Sequence, residues 1–86
     1  MTDAFRRAFD ALPEGTFTGT AHGRRWVVAK TSWADGRSRK LWAEAEDGDH
    51  VSLNLYTLRD GRQRLRPCEM SDDKVVAFVL ALVPDQ

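Results

Sequence analysis

Four glycines, Gly23, Gly36, Gly48 and Gly61, recur every 12 or 13 residues, and apolar and polar side chains alternate between them. Turns at that spacing leave room only for short antiparallel strands, so Thr16 to Pro67 is expected to form a five-stranded meander. The turn chemistry then sets which residues face each other. His22-Gly23 and Asp35-Gly36 suit two-residue hairpin turns. That register places Phe17 opposite Val28 and Gly19 opposite Trp26, where the missing side chain of Gly19 would make room for the indole. In the next hairpin Val28 faces Ala43 and Trp26 faces Ala45.

The later turns are chosen by burial. A two-residue turn near Gly48 would send Val51, Leu53 and Leu55 to the charged face, because a one-residue slip reverses every side chain of a strand. A three-residue loop, Asp47-Gly48-Asp49, keeps them inside and pairs Ala45 with Val51, Ala43 with Leu53 and Leu41 with Leu55. The same choice at Arg59-Asp60-Gly61 pairs Leu55 with Leu65. All four turns then agree on one inner face: Phe17, Trp26, Val28, Leu41, Ala43, Ala45, Val51, Leu53, Leu55 and Leu65.

Helices are expected on both flanks. Phe5, Ala8, Phe9 and Leu12 have the spacing of one helix face, with Thr2 as N-cap, Asp3 in the first turn, and Pro13 and Gly15 as the stop. Ser71 caps a second helix that opens with Asp72 and Asp73 and ends at Pro84. The chain therefore reads as a single α+β domain over residues 1–86: a helix, the meander, and a closing helix, with both helices on one sheet face. The run from Val75 to Val83 is apolar all round, more than one sheet face requires. It calls for a second surface, either the N-terminal helix or another subunit, and a homodimer is expected on that ground.

Thirteen basic and thirteen acidic residues cancel, so bulk charge implies no polyanionic partner. The one cysteine excludes an internal disulfide and a cysteine-rich metal site. The N-terminus lacks the order of a signal peptide, and no apolar run approaches the ~20 residues of a membrane span. A cytoplasmic protein with no membrane partner is expected.

Charge is nevertheless segregated along the strands: residues 24–43 carry +5, residues 44–58 carry −4 and residues 59–66 carry +3. The outward positions put one residue on the wrong-looking side: Trp42, between Lys40 and Glu44. The expected rows across the outer face place Trp42 beside Asn54 and Arg66, Lys40 beside Tyr56 and Arg64, and Trp33 in line with Ser38, Leu58 and Arg62. Trp33, Lys40, Trp42, Asn54, Tyr56, Arg62, Arg64 and Arg66 are thus the candidate binding residues. Rings among cations on a sheet suit single-stranded nucleic acid, whose bases stack while phosphates meet Lys and Arg. The same residues also serve as cross-strand stacking or as a protein interface.

Catalytic chemistry finds little support. Cys68 lies three residues ahead of the Ser71 cap with no Cys-x-x-Cys motif, and Pro67 and Met70 suggest packing under the crossover to the last helix. The "DGDH" run at 47–50 lacks the remaining ligands of a calcium loop, and His22 and His50 sit at hairpin ends. Asp72 and Asp73 read as helix-start residues, and no glycine loop is placed to cradle phosphate. No catalytic residue, metal or cofactor is expected. The expected function is a small non-catalytic binding or protein-interaction module that self-associates. The alternatives are a single-stranded nucleic-acid binder and, third, a thiol or redox enzyme at Cys68.

Overall fold

A computed structural model describes residues 1–85. Helix α1 (Asp3–Ala11) is followed by β1 (Gly15–Ala21), β2 (Arg24–Trp33), β3 (Ser38–Ala45), β4 (His50–Thr57) and β5 (Gln63–Pro67), then helix α2 (Asp72–Ala81) and a short β6 (Val83–Pro84). The sheet is antiparallel in the order β5-β4-β3-β2-β1-β6. The five main strands form the expected meander, and β6 adds a sixth at the β1 edge.

Both helices start as the sequence indicates. Thr2 Oγ1 accepts from Phe5 N at 3.1 Å and Ser71 Oγ from Lys74 N at 3.1 Å. Phe5 and Phe9 of α1 and Val75, Phe78 and Val79 of α2 are buried with the inner face of the sheet. Phe78 meets Trp26 edge-on, ring centroids 4.7 Å apart. The two helices also touch each other, so α1 supplies part of the second surface that the apolar α2 needs. Leu80 and Val83 stay exposed.

Pro84 does not merely stop α2. Edge strands tolerate proline, and here Val83 pairs with Thr20 and Pro84 with Gly19. This corrects the role of Gly19. Its partner across β2 is Trp26, as expected, but a side chain there would collide with β6: an added Cβ would lie 2.7 Å from Val83 O and 3.1 Å from Pro84 Cα. Gly19→Ala should therefore push β6 off the edge while sparing the indole, at a cost of about 1–2 kcal/mol. Hydrogen exchange checks this at the Asp85 amide, which donates to Thr18 O at 2.9 Å. A protected Asp85 amide with a red-shifted Trp26 emission would instead mean that Gly19 makes room for the indole.

Three of the four hairpins have the expected register. The β3–β4 hairpin is displaced by two residues: Ala43 pairs with Val51, Leu41 with Leu53 and Arg39 with Leu55. The loop is Glu46-Asp47-Gly48, closed by Ala45 N to Asp49 O at 2.9 Å and Gly48 N to Ala45 O at 3.0 Å. Gly48 occupies the third loop position with φ +89°, the left-handed site of a type I turn with a bulge. Gly61 holds the same third position in the Arg59-Asp60-Gly61 loop with φ +86°. The two loops share a second device: the aspartate in the middle accepts from the backbone N–H two residues on, Asp47 from Asp49 and Asp60 from Arg62, both at 3.0 Å. A slip of two keeps every side chain on its face, so the inner set survives and only the neighbours change.

One buried inner position is charged. Lys30 is 3% exposed, and its Nζ donates to Phe9 O at 2.8 Å and Leu12 O at 2.9 Å, the carbonyls at the end of α1. Arg39 binds Asp10 and lies 4.9 Å over the Phe9 ring, so two cations from the sheet hold the end of α1.

Candidate interaction face of the sheet

With both helices inside, the opposite face of the sheet is open, and the β3–β4 shift rewrites its rows. The central row runs Thr16, Ala29, Trp42, Ser52. On one side lies Thr18, Val27, Glu44, His50. On the other lie Thr31, Lys40, Asn54, Arg66 and then Trp33, Ser38, Tyr56, Arg64.

The expected aromatic cluster is therefore not assembled. Trp42 was to lie diagonal to Tyr56, but the Lys40–Asn54 row separates them. Tyr56 instead shares a row with Trp33, Ser38 between them. Asn54 leaves Trp42 and joins Lys40, with Arg66 still opposite it. Arg62 folds back onto its own turn, Nε donating to Asp60 Oδ2 at 2.7 Å. Trp42 and Trp33 are exposed, 38% and 49%, and Val27 beside Trp42 is 46% exposed.

Cys68 also belongs to this face, which corrects its placement under the crossover. Its N–H donates to Ser52 O at 3.0 Å, continuing the β4–β5 register, and its Sγ lies 3.7 Å from Asn54 Nδ2. It is partly buried and ends the Trp42 row. Among the described residues no group of three or more His, Cys, Asp and Glu is placed to hold a metal ion.

The electrostatics divide at the Trp42 row. On the β2–β3 hairpin-turn side, Lys40, Arg64 and Arg66 are exposed, and among the described residues none forms an ion pair. On the other side Glu44 and Glu46 are exposed and likewise unpaired among the described residues. Arg25 next to them is occupied: its Nη1 and Nη2 donate to Asp85 at 3.0 and 2.6 Å. With Arg25 and the Thr18 hydroxyl donating to it, the Asp85 carboxyl is held down at about 2. The clasp of β6 is thus intact above the ordinary carboxylate range and opens only as pH falls through about 2. On the acidic side of the Trp42 row, Thr18, Arg25, Val27, Trp42, Glu44 and Glu46 line an open depression of about 480 Å³.

A second charge network lies away from this face. Asp49 accepts from Arg24 and from Lys74, each at 3.0 Å, which ties the β3–β4 loop to β2 and α2 and holds the Asp49 carboxyl at about 2. These pairs are structural and leave the open face unneutralised.

No protein-family model, curated protein or solved structure matches the chain. Among the described residues no helix is long and apolar enough to cross a membrane. Sequence reasoning passed over Val27 and Glu44 as site residues, although both sit at the centre of the face. An apolar residue at an outward position next to an outward tryptophan was the available signal.

Proposed function

We propose that the chain is a non-catalytic binding module that presents the outer face of its sheet to a protein partner. What carries this is one arrangement: Trp42 and Val27 stand exposed at the middle of a face whose flanking Lys40, Arg64, Arg66, Glu44 and Glu46 form no ion pair among the described residues. Monomer surfaces seldom leave aromatic and aliphatic side chains ringed by unpaired charge without a contact to make, and Trp, Tyr and Arg are enriched where proteins meet.

A second reading is supported by the Lys40, Arg64 and Arg66 side of the face, which shares its rows with Tyr56 and Trp33. A single strand of nucleic acid there would meet about three cations, giving a log–log salt slope near −2 at ~0.7 per phosphate. It would leave Trp42 and Val27 unused and would stop short of Glu44, which is why it comes second.

A benzophenone amino acid placed at position 42 in cells tests both. Adducts with protein at 42, and far fewer from the same group placed at the exposed Leu80 on α2, are the expected result. Nucleic-acid adducts would favour the second reading, and no protein adduct at 42 would remove the first; the second, which leaves Trp42 unused, falls if unstructured oligonucleotides at low salt show no binding.

A further inference from the structure

We propose that the partner seated on this face is a second copy of the chain, packed sheet on sheet about a two-fold axis that runs across the strands along the Trp42 row. The inference rests on the reading that the outer face is a protein-binding face and adds its occupant and geometry.

The charges select both. A symmetric dimer must match one patch to itself, so each group meets whatever the axis turns onto it. Along β3 the outward side chains run Lys40, Trp42, Glu44: one cation, one ring, one anion, evenly spaced. An axis parallel to the strands along β3 would stack Lys40 on Lys40 and Glu44 on Glu44 and repel. An axis across the strands reverses their direction, so that Lys40 of one copy faces Glu44 of the other, twice per dimer. Trp42 then lies over its own counterpart at the centre. One row further out, the exposed Trp33 of one copy comes over Arg25 of the other, a ring against a guanidinium, since both lie on β2 two rows from the axis on opposite sides. The depression beside Val27 gives the opposing Trp42 space to enter.

The size fits a weak, specific dimer. Five strands ~4.8 Å apart and five rows ~6.8 Å apart span a face of about 19 by 27 Å. The pair would then bury on the order of 1,000 Å² in all, the low end for a specific interface, where weak and transient complexes fall. Two sheets packed this way sit ~10 Å apart with their strands within ~30° of alignment.

The symmetry supplies the test. The K40E chain carries acid on both sides of Trp42, and the E44K chain carries base on both sides. Each alone should lose self-association by ~tenfold or more, measured by sedimentation against wild type, because both contacts of the pair become repulsive. An equimolar mixture of the two should recover it to within a few-fold, at a mass of about twice the 9.7 kDa of the chain. Equal melting temperatures for the three proteins establish that the fold is kept. A measurement needing no substitution runs beside it: Cys68 ends the axial row, so a bismaleimide spanning ~10 Å should couple it to its counterpart in the dimer and not in the K40E chain. A wild type that stays monomeric to ~300 μM, a dimer indifferent to both reversals, or a mixture no better than its parts would each overturn the proposal. If protein adducts of another kind still form at position 42, the face remains a protein-binding face and only the second copy is lost. Nucleic acid bound there in place of a copy would overturn both.

Discussion

Trp26→Ala should lower the stability of the fold by ~3–5 kcal/mol, while Trp42→Ala should cost well under ~2 kcal/mol. The two tryptophans lie on adjacent strands but on opposite faces of the sheet. Trp26 is 2% exposed, stacked edge-on against Phe78 of α2, and its indole N–H donates to Ala21 O at 3.2 Å. Truncation would leave a cavity between the sheet and α2, strip Phe78 of its aromatic partner, and remove the indole hydrogen bond to Ala21 O. The Arg24 guanidinium, 4.8 Å above the ring, would lose its support as well. A domain of this size has total stability near the lower part of the ~5–15 kcal/mol range, so this single change approaches global unfolding. Urea titrations of the two variants decide it. Comparable losses would mean that Trp42 is covered in solution, and their dependence on protein concentration would then identify a second copy as the cover.

Much of this architecture is written in local chemistry. The inner face follows from alternation plus the requirement that Val51, Leu53 and Leu55 be buried, and any even slip satisfies that requirement equally. Burial therefore fixed the parity of the β3–β4 pairing but not its register. The missing discriminator was the position of glycine within the loop. Gly61 stands third in its loop, and requiring the same of Gly48 yields Glu46-Asp47-Gly48 and the observed pairs. The error mattered only on the outer face, where rows of neighbours carry the functional argument. It placed Tyr56 beside Lys40 when it belongs beside Ser38.

Gly19 and Lys30 were harder for a different reason. Across a hairpin, Gly19 faces Trp26, and a large residue opposite a glycine invites the inference that one accommodates the other. The occupant is instead a strand contributed from beyond α2, more than sixty residues away in sequence. Such distant contacts leave no local periodicity. Lys30 did leave a trace: it follows Trp26 and Val28 at inward parity, where a lysine needs a partner. That partner is a set of backbone carbonyls, which no side-chain pattern reveals.

Lys30→Ala should destabilise the protein by about 3 kcal/mol, and Lys30→Met by about 2 kcal/mol. Helix α1 has no basic residue in its last turn, and of the carbonyls at its end Phe9 O accepts one backbone bond, from Leu12 N at 3.2 Å. Lys30 Nζ reaches across from β2 to serve those of Phe9 and Leu12, placing positive charge at the negative end of the helix dipole. Its Nζ lies 4.8 Å from the centre of the Phe9 ring, at the end of a stem buried with the rest of the residue. Methionine keeps most of that packing and removes the donors, so the difference between the two variants isolates the stem. The expected loss is limited because burying a charge is itself unfavourable. That penalty is visible as a lowered lysine pKa, with desolvation as its main cause. The sign follows directly. Where the native state holds the proton less tightly than the unfolded chain, the unfolded chain binds more protons and stability rises with pH. The contribution of Lys30 should therefore grow as pH climbs toward 10.5, the ordinary value of the group. The neutral amine still donates to both carbonyls, and the lost charge at the helix end reduces the gain without reversing it, since the net shift is downward with desolvation as its largest cause. Urea midpoints of wild type and Lys30→Met measured side by side from pH 7 to 10.5 should diverge, the wild type improving relative to the variant. Parallel or converging midpoints would show that the amine is solvated and that α1 is held by its aromatic face alone.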